Sequence, residues 1–168
     1  MKLPYREGDW FAVPLEGGGF AVGIVARMAK RGRSLVGYFF GPKREVVPTR
    51  ADVAHLVASD AILVARFGDL SLIQHEWPVI GRAESWDREA WPMPVFYRAV
   101  HLVPGRAFRV RYDPERPSLC ISEEVIAAPA NLDQLPKDCS YGSGALAYKL
   151  STLVEPSAFV NLPRNGSE

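Results

Sequence analysis

Between Gly8 and Pro42 the chain reads GDWFAVPLEGGGFAVGIVARMAKRGRSLVGYFFGP, three apolar runs separated by two short polar or Gly-rich gaps. In the first run, Asp9 to Leu15, side chains alternate with period two, which puts Trp10, Ala12 and Pro14 on one face and Phe11, Val13 and Leu15 on the other. Both faces are apolar, so both need cover. Glu16 to Gly19 supplies the turn, because glycine reaches positive φ without a Cβ clash. From Phe20 to Arg27 the alternation is again apolar on both sides, with Phe20, Val22 and Ile24 opposed to Ala21, Gly23 and Val25. Gly23 marks a bend or a close backbone approach. Lys30 to Ser34 turns the chain once more, and Leu35 to Phe40 forms a third strand that Gly41 and Pro42 are expected to end. A sheet with one wet face would show polar residues at every second position. Their absence predicts a small curled or barrel-like antiparallel N-terminal sheet.

Downstream the periodicity changes. Thr49 with Asp52 has the spacing of a helix start, and Val53, Leu56 and Val57 form its apolar face. AILVARF, from Ala61 to Phe67, is a buried strand interrupted by Arg66, whose guanidinium calls for either water or a carboxylate, with Asp69, Asp9 and Glu76 the candidates for the latter. Leu70 to Ile73 is read as one helical turn and Trp77 to Gly81 as an edge strand. Trp86, Asp87, Trp91, Pro92 and Pro94 mix charges, indoles and prolines, which places a lobe boundary near 83–94 within what is otherwise one domain spanning 1–168. Strands resume over Val95–Val103, Ala107–Tyr112 and Leu119–Ile126. In the second of these Arg109 and Arg111 alternate with Phe108, Val110 and Tyr112 and are expected to face water. After an irregular stretch, Ser143 caps a helix over Ala145–Val154 whose Leu146, Leu150 and Leu153 face the core; Pro156 ends it, and residues from Pro163 onward fray. The fold class is α+β, predominantly β, with a C-terminal helix.

Composition narrows the functional classes. At 168 residues and 48% hydrophobic the chain can bury a substantial core. Its charge is +1 overall but uneven: +5 over residues 1–50, −3 over 51–100 and −1 over the rest. That balance argues against a dedicated nucleic-acid binder, and the basic tip Lys30, Arg31 and Arg33 reads as ordinary surface. No signal-peptide pattern and no bilayer-length apolar run occurs, so a cytoplasmic, non-membrane protein is expected. Cys120 and Cys139 read as reduced thiols, and with three scattered histidines they form no metal-ligand spacing, so neither a metal nor another cofactor is expected. No serine or cysteine lies in a nucleophile motif, and Gly142-Ser143-Gly144 lacks the rest of a phosphate-binding pattern; the chain is read as a non-enzyme. Trp77, Trp86 and Trp91 lie close together among Glu76, Glu84, Asp87 and Glu89. Tryptophan buries large area with few rotors, which suits it to interfaces, and carboxylates around it suit a basic partner. Trp10 and Trp77 are assigned to the core. Trp86, Asp87, Glu89 and Trp91 are the candidate partner-binding residues, against the alternative that the indoles seal the seam between lobes.

One resemblance adds to this reading. Gly8-Asp9-Trp10-Phe11-Ala12-Val13-Pro14-Leu15, a Gly turn, Phe20-Ala21-Val22-Gly23-Ile24-Val25 and Gly37-Tyr38-Phe39-Phe40-Gly41 together resemble the twenty-sixth class of immunity proteins from bacterial polymorphic toxin systems. Arg66-Phe67-Gly68-Asp69 and Trp77-Pro78-Val79-Ile80-Gly81 also look like that family. The resemblance covers the first half of the chain. It implies a β-rich protein that binds and neutralises a cognate toxin by occlusion, and brings no catalytic residues. An acidic surface would suit a basic nuclease as that toxin. Asp9, at the Gly-Asp step, reads equally well as a turn aspartate holding backbone N–H groups. The rival reading is a small-ligand or nucleic-acid-binding β module, or an enzyme of another kind, supported by the basic N-terminal third and the Arg109 and Arg111 face, and a homodimer packed through that face is a third.

Overall fold

The structure, a computed structural model, describes residues 2–154. The three runs of the opening stretch form strands β1 (Asp9–Pro14), β2 (Phe20–Met28) and β3 (Ser34–Arg44). Strands β4 (Leu63–Gly68), β5 (Val79–Arg82) and β9 (Ser140–Tyr141) extend them into one six-stranded sheet of order β5-β1-β2-β3-β4-β9. Its pairings are antiparallel except β4–β9, which is parallel. A second sheet of order β6-β7-β8 comprises Phe96–Ala99, Arg106–Asp113 and Arg116–Ala127. Residues 83–95 carry the chain from one sheet to the other.

The large sheet does not close into a barrel; β5 and β9 remain its edges. The apolar demand of its two faces is met by other elements instead. On one face Phe11, Val13, Val25, Leu35, Phe39 and Phe67 pack with Tyr5, Leu72 of α2 (Leu70–Ile73), Trp77, and Leu146 and Leu150 of α3 (Ser143–Val154). On the other, Trp10, Val22, Ile24, Tyr38 and Phe40 pack with Val53 of α1 (Arg50–Val53), Leu56 and Trp91. Farther along this second face Val36 meets Phe96 and Val110 of the small sheet. Trp10 and Trp77 are core residues, as their apolar context predicts.

Local chemistry explains the joints. Thr49 and Asp52 form a reciprocal capping box at the start of α1. A register shift between Val25 and Arg27 of β2 opposes Arg27 to Val36, turning a cation onto the face that already carries Ala26. β3 continues to Arg44 rather than stopping at Gly41-Pro42. Its pairing with β2 is irregular between Phe20 and Val22, so the N–H that proline lacks is not called on there. Helix α3 begins at Ser143 itself, and the Gly142 carbonyl accepts from the Leu146 N–H at 3.0 Å, so Gly142 takes the capping position expected of Ser143. Leu153 is 37% exposed, unlike Leu146 and Leu150, because it lines a cleft with Ile62 and Tyr141, while Val154 of the same turn packs against the core. The expectations for Pro156 and for residues from Pro163 onward lie outside the described residues.

Arg66 finds none of the three carboxylates that its sequence neighbourhood suggested. Asp69 is occupied by the Tyr5 hydroxyl and the Arg33 N–H, Asp9 by the Arg6 N–H, and Glu76 by Ser71. The Arg66 guanidinium instead donates to Asp138 Oδ1 at 3.3 Å, the Tyr112 hydroxyl at 3.0 Å and the Pro117 carbonyl, and lies 3.7 Å from the Tyr112 ring centroid. Asp138 also accepts from Tyr112 and Arg98. Burial and the hydrogen bond to Asp138 push the Tyr112 hydroxyl up to about 12. One buried carboxylate thus ties β4, β6 and β7 together.

Candidate partner-binding site

The site is built on the first residue of the recurring Gly-Asp step. Gly8 has φ +87°, a left-handed conformation that L side chains rarely adopt, and a Cβ there would lie 2.7 Å from the Trp86 ring. Its bare backbone is therefore the bed on which that indole rests. Gly8 also donates to the Val25 carbonyl and accepts from Ala83, which ties the start of β1 to the strand beside it and to the segment carrying Trp86. Asp9 accepts from the Arg6 N–H at 2.9 Å, the turn-holding role expected of it, and burial pushes its carboxyl up against that bond.

Past Trp86 the chain makes a single 3-10 turn over Arg88–Ala90, capped by the Asp87 carboxylate accepting from the Glu89 N–H at 3.0 Å. Trp91 then plunges inward. It meets Trp10, Tyr38 and Phe40 edge-on at centroid distances of 5.7, 5.4 and 6.0 Å, while Trp86 stacks over it at 6.5 Å and 17°. Trp91 is 7% exposed, so its contribution to any contact is to back Trp86 from below rather than to present area. Trp86 is half-buried, and Asp87 and Glu89 are exposed. The two indoles stack as an inner and an outer ring, and the exposed Asp87 and Glu89 lie on the turn that joins them.

Two arginines fasten this unit. Arg27 is buried and, among the described residues, donates to backbone carbonyls: Ala26 at 2.6 Å, Trp91 at 2.8 Å and Arg88 at 3.3 Å. Burial pulls its guanidinium below the usual range, with the Arg88 charge adding to the shift. Arg88 pairs with Glu7 at 3.0 Å and Glu115 at 2.6 Å, bridging the N-terminal segment to the β7–β8 turn. The Tyr38 hydroxyl donates to the Pro92 carbonyl at 2.6 Å, so the end of the segment is held too. Beside Trp86 opens a cleft of about 390 Å³, with Trp10 and Trp91 in its wall and Arg50, Arg82 and Glu84 among its lining residues. Sequence reasoning missed Arg27, Arg50 and Arg82. Arg27 carried one signal, a cation inside an otherwise apolar strand; the other two carried none.

Fold and packing together define an α+β protein, mostly β. Residues 6–107 match the family model described as immunity protein 26, and the chain belongs to that family. No curated protein and no solved structure matches it. The matched span contains the whole Trp86 unit and ends within β7, leaving β8, β9 and α3 beyond it. Among the described residues no helix is long and apolar enough to cross a membrane.

Proposed function

We propose that this chain is the immunity partner of a polymorphic toxin system, binding and neutralising its cognate bacterial toxin in the cytoplasm by occlusion rather than by catalysis. The contact surface is Trp86 with Asp87 and Glu89 at its rim and Trp91 as its support. The observation that carries this reading is the Trp86 indole, left half-exposed although it rests on Gly8 and stacks on Trp91. A half-buried indole backed by a second ring, with the exposed carboxylates of Asp87 and Glu89 next to it in the chain, is the composition of an interface hot spot. The carboxylates favour a basic partner surface, as a nuclease toxin would offer.

Co-expression with the toxin encoded beside this chain tests the function: rescue of growth and co-purification are expected, and toxin activity undiminished by excess protein would refute it. Trp86→Ala tests the surface. It is expected to weaken binding by about 2 kcal/mol or more with the fold retained by circular dichroism. Glu89→Lys should slow association and reverse its dependence on salt. Unchanged affinity in a folded Trp86→Ala protein would move the interface elsewhere while leaving the function standing.

A further inference from the structure

We propose that the open edge of β4 is a docking site for an extended, acid-bearing segment of a protein partner, which joins the large sheet as an additional strand. β9 pairs only with Arg66 and Phe67, and Ala65 is 1% exposed, so the edge left without a paired outer strand among the described residues is Leu63 and Val64. Backbone groups of successive residues point to opposite sides of a strand, so of these two residues one turns its N–H and C=O outward. Such an edge is a template for pairing, and proteins blunt it with charge, proline or cover. Here none is used. Leu63 and Val64 are apolar, and the Arg66 guanidinium is turned to Asp138 and Tyr112.

In place of cover, the edge opens on a cleft of about 340 Å³. The 135–137 segment that forms part of its wall does not reach across. Its hydrogen bonding is directed to β6, where the Tyr97 N–H donates to the Pro136 carbonyl at 2.8 Å and Tyr97 bridges Lys137. Ile62, 40% exposed, and Leu153, which the core does not absorb, supply an apolar lining with Tyr141. Lys137 and Lys149 stand in the lining, where among the described residues neither makes an ion pair and Asp133 is the one carboxylate. A strand whose side chains alternate apolar and carboxylate matches this arrangement: its apolar residues enter between Ile62 and Leu153, and its carboxylates reach the lysines. The groove lies at the β4 and β9 edge, whereas Trp86 sits over the start of β1 near the β5 edge, so this inference does not depend on the toxin-binding reading.

Synthetic peptides test it without any toxin. The full-length labelled protein is titrated, with amide chemical shifts as readout, against a capped peptide of alternating Glu and Val, its Lys-Val counterpart, and the Glu-Val peptide N-methylated at alternate residues. Saturable shifts confined to 61–65, Tyr141 and the last turns of α3 are expected with the Glu-Val peptide, and about tenfold weaker binding with the other two. Lys137→Glu with Lys149→Glu should reverse the charge preference. The proposal is overturned by absent or scattered shifts, or by equal affinity for the N-methylated peptide. It is likewise overturned by slow hydrogen exchange at both Leu63 and Val64 in the free protein, since that edge would then already be paired within the chain.

Discussion

Gly23 lies beneath the Phe11 ring: a Cβ built on it would sit 2.5 Å from Phe11 Cζ and 3.0 Å from Phe39 Cδ1. The absent side chain lets Phe11, Phe39 and Phe67 close to centroid separations of 5.4 to 5.8 Å, pairs worth about 0.5–1.5 kcal/mol each beyond their buried area. Gly23→Ala should therefore destabilise the protein by about 1–3 kcal/mol in urea unfolding, the cost of overpacking a filled site. Asp9 makes a second prediction at this scale. Burial raises its carboxyl pKa above the unfolded value of 3.8, so between 3.8 and the raised value the folded state holds more proton than the unfolded one. Its contribution to stability falls as pH rises through that window and is not regained at neutral pH. Asp9→Asn retains an oxygen for the Arg6 N–H and removes the titration. Stability measured from pH 3 to 7 should lose this downward component, whereas an unchanged profile would assign it to other groups.

Among elements, α3 shows how one helix can be partly core and partly rim. Leu146 and Leu150 are fully buried against the large sheet, and Leu153 is not. Leu150→Ala should cost about 2–5 kcal/mol and Leu153→Ala well under half of that, compared by chemical denaturation. Equal costs would mean that the last turn is more deeply packed than its exposure indicates. Legibility differed by element in the same way. β1, β2, the Thr49–Asp52 capping box and the turn at Leu70–Ile73 could be read directly, because each rests on a local pattern of period or spacing. The extension of β3 past Gly41-Pro42, the exposure of Leu153 and the two-residue strand β9 could not, because each depends on what lies alongside rather than on neighbours in sequence.

At the scale of the molecule, Asp138 is the joint. It receives Arg66 from the large sheet and Arg98 and Tyr112 from the small one, and its side chain is almost wholly buried. Removing it strands the Arg66 cation in a dry setting. Asp138→Ala should therefore destabilise by about 3–5 kcal/mol, and Arg98→Ala by much less because that guanidinium is partly exposed and its loss leaves Asp138 paired with Arg66 and Tyr112. Thermal unfolding of the two variants checks the order.

What the sequence by itself determined is the front sheet with two apolar faces, and the cluster of tryptophans and carboxylates at 86–91, since alternation and composition are properties of neighbouring residues. Only the tertiary structure decided how those faces are covered, that Arg66 pairs with Asp138, and which indole stays at the surface. Those outcomes depend on contacts between residues far apart in the chain, where several carboxylates or rings compete for one position and geometry selects among them.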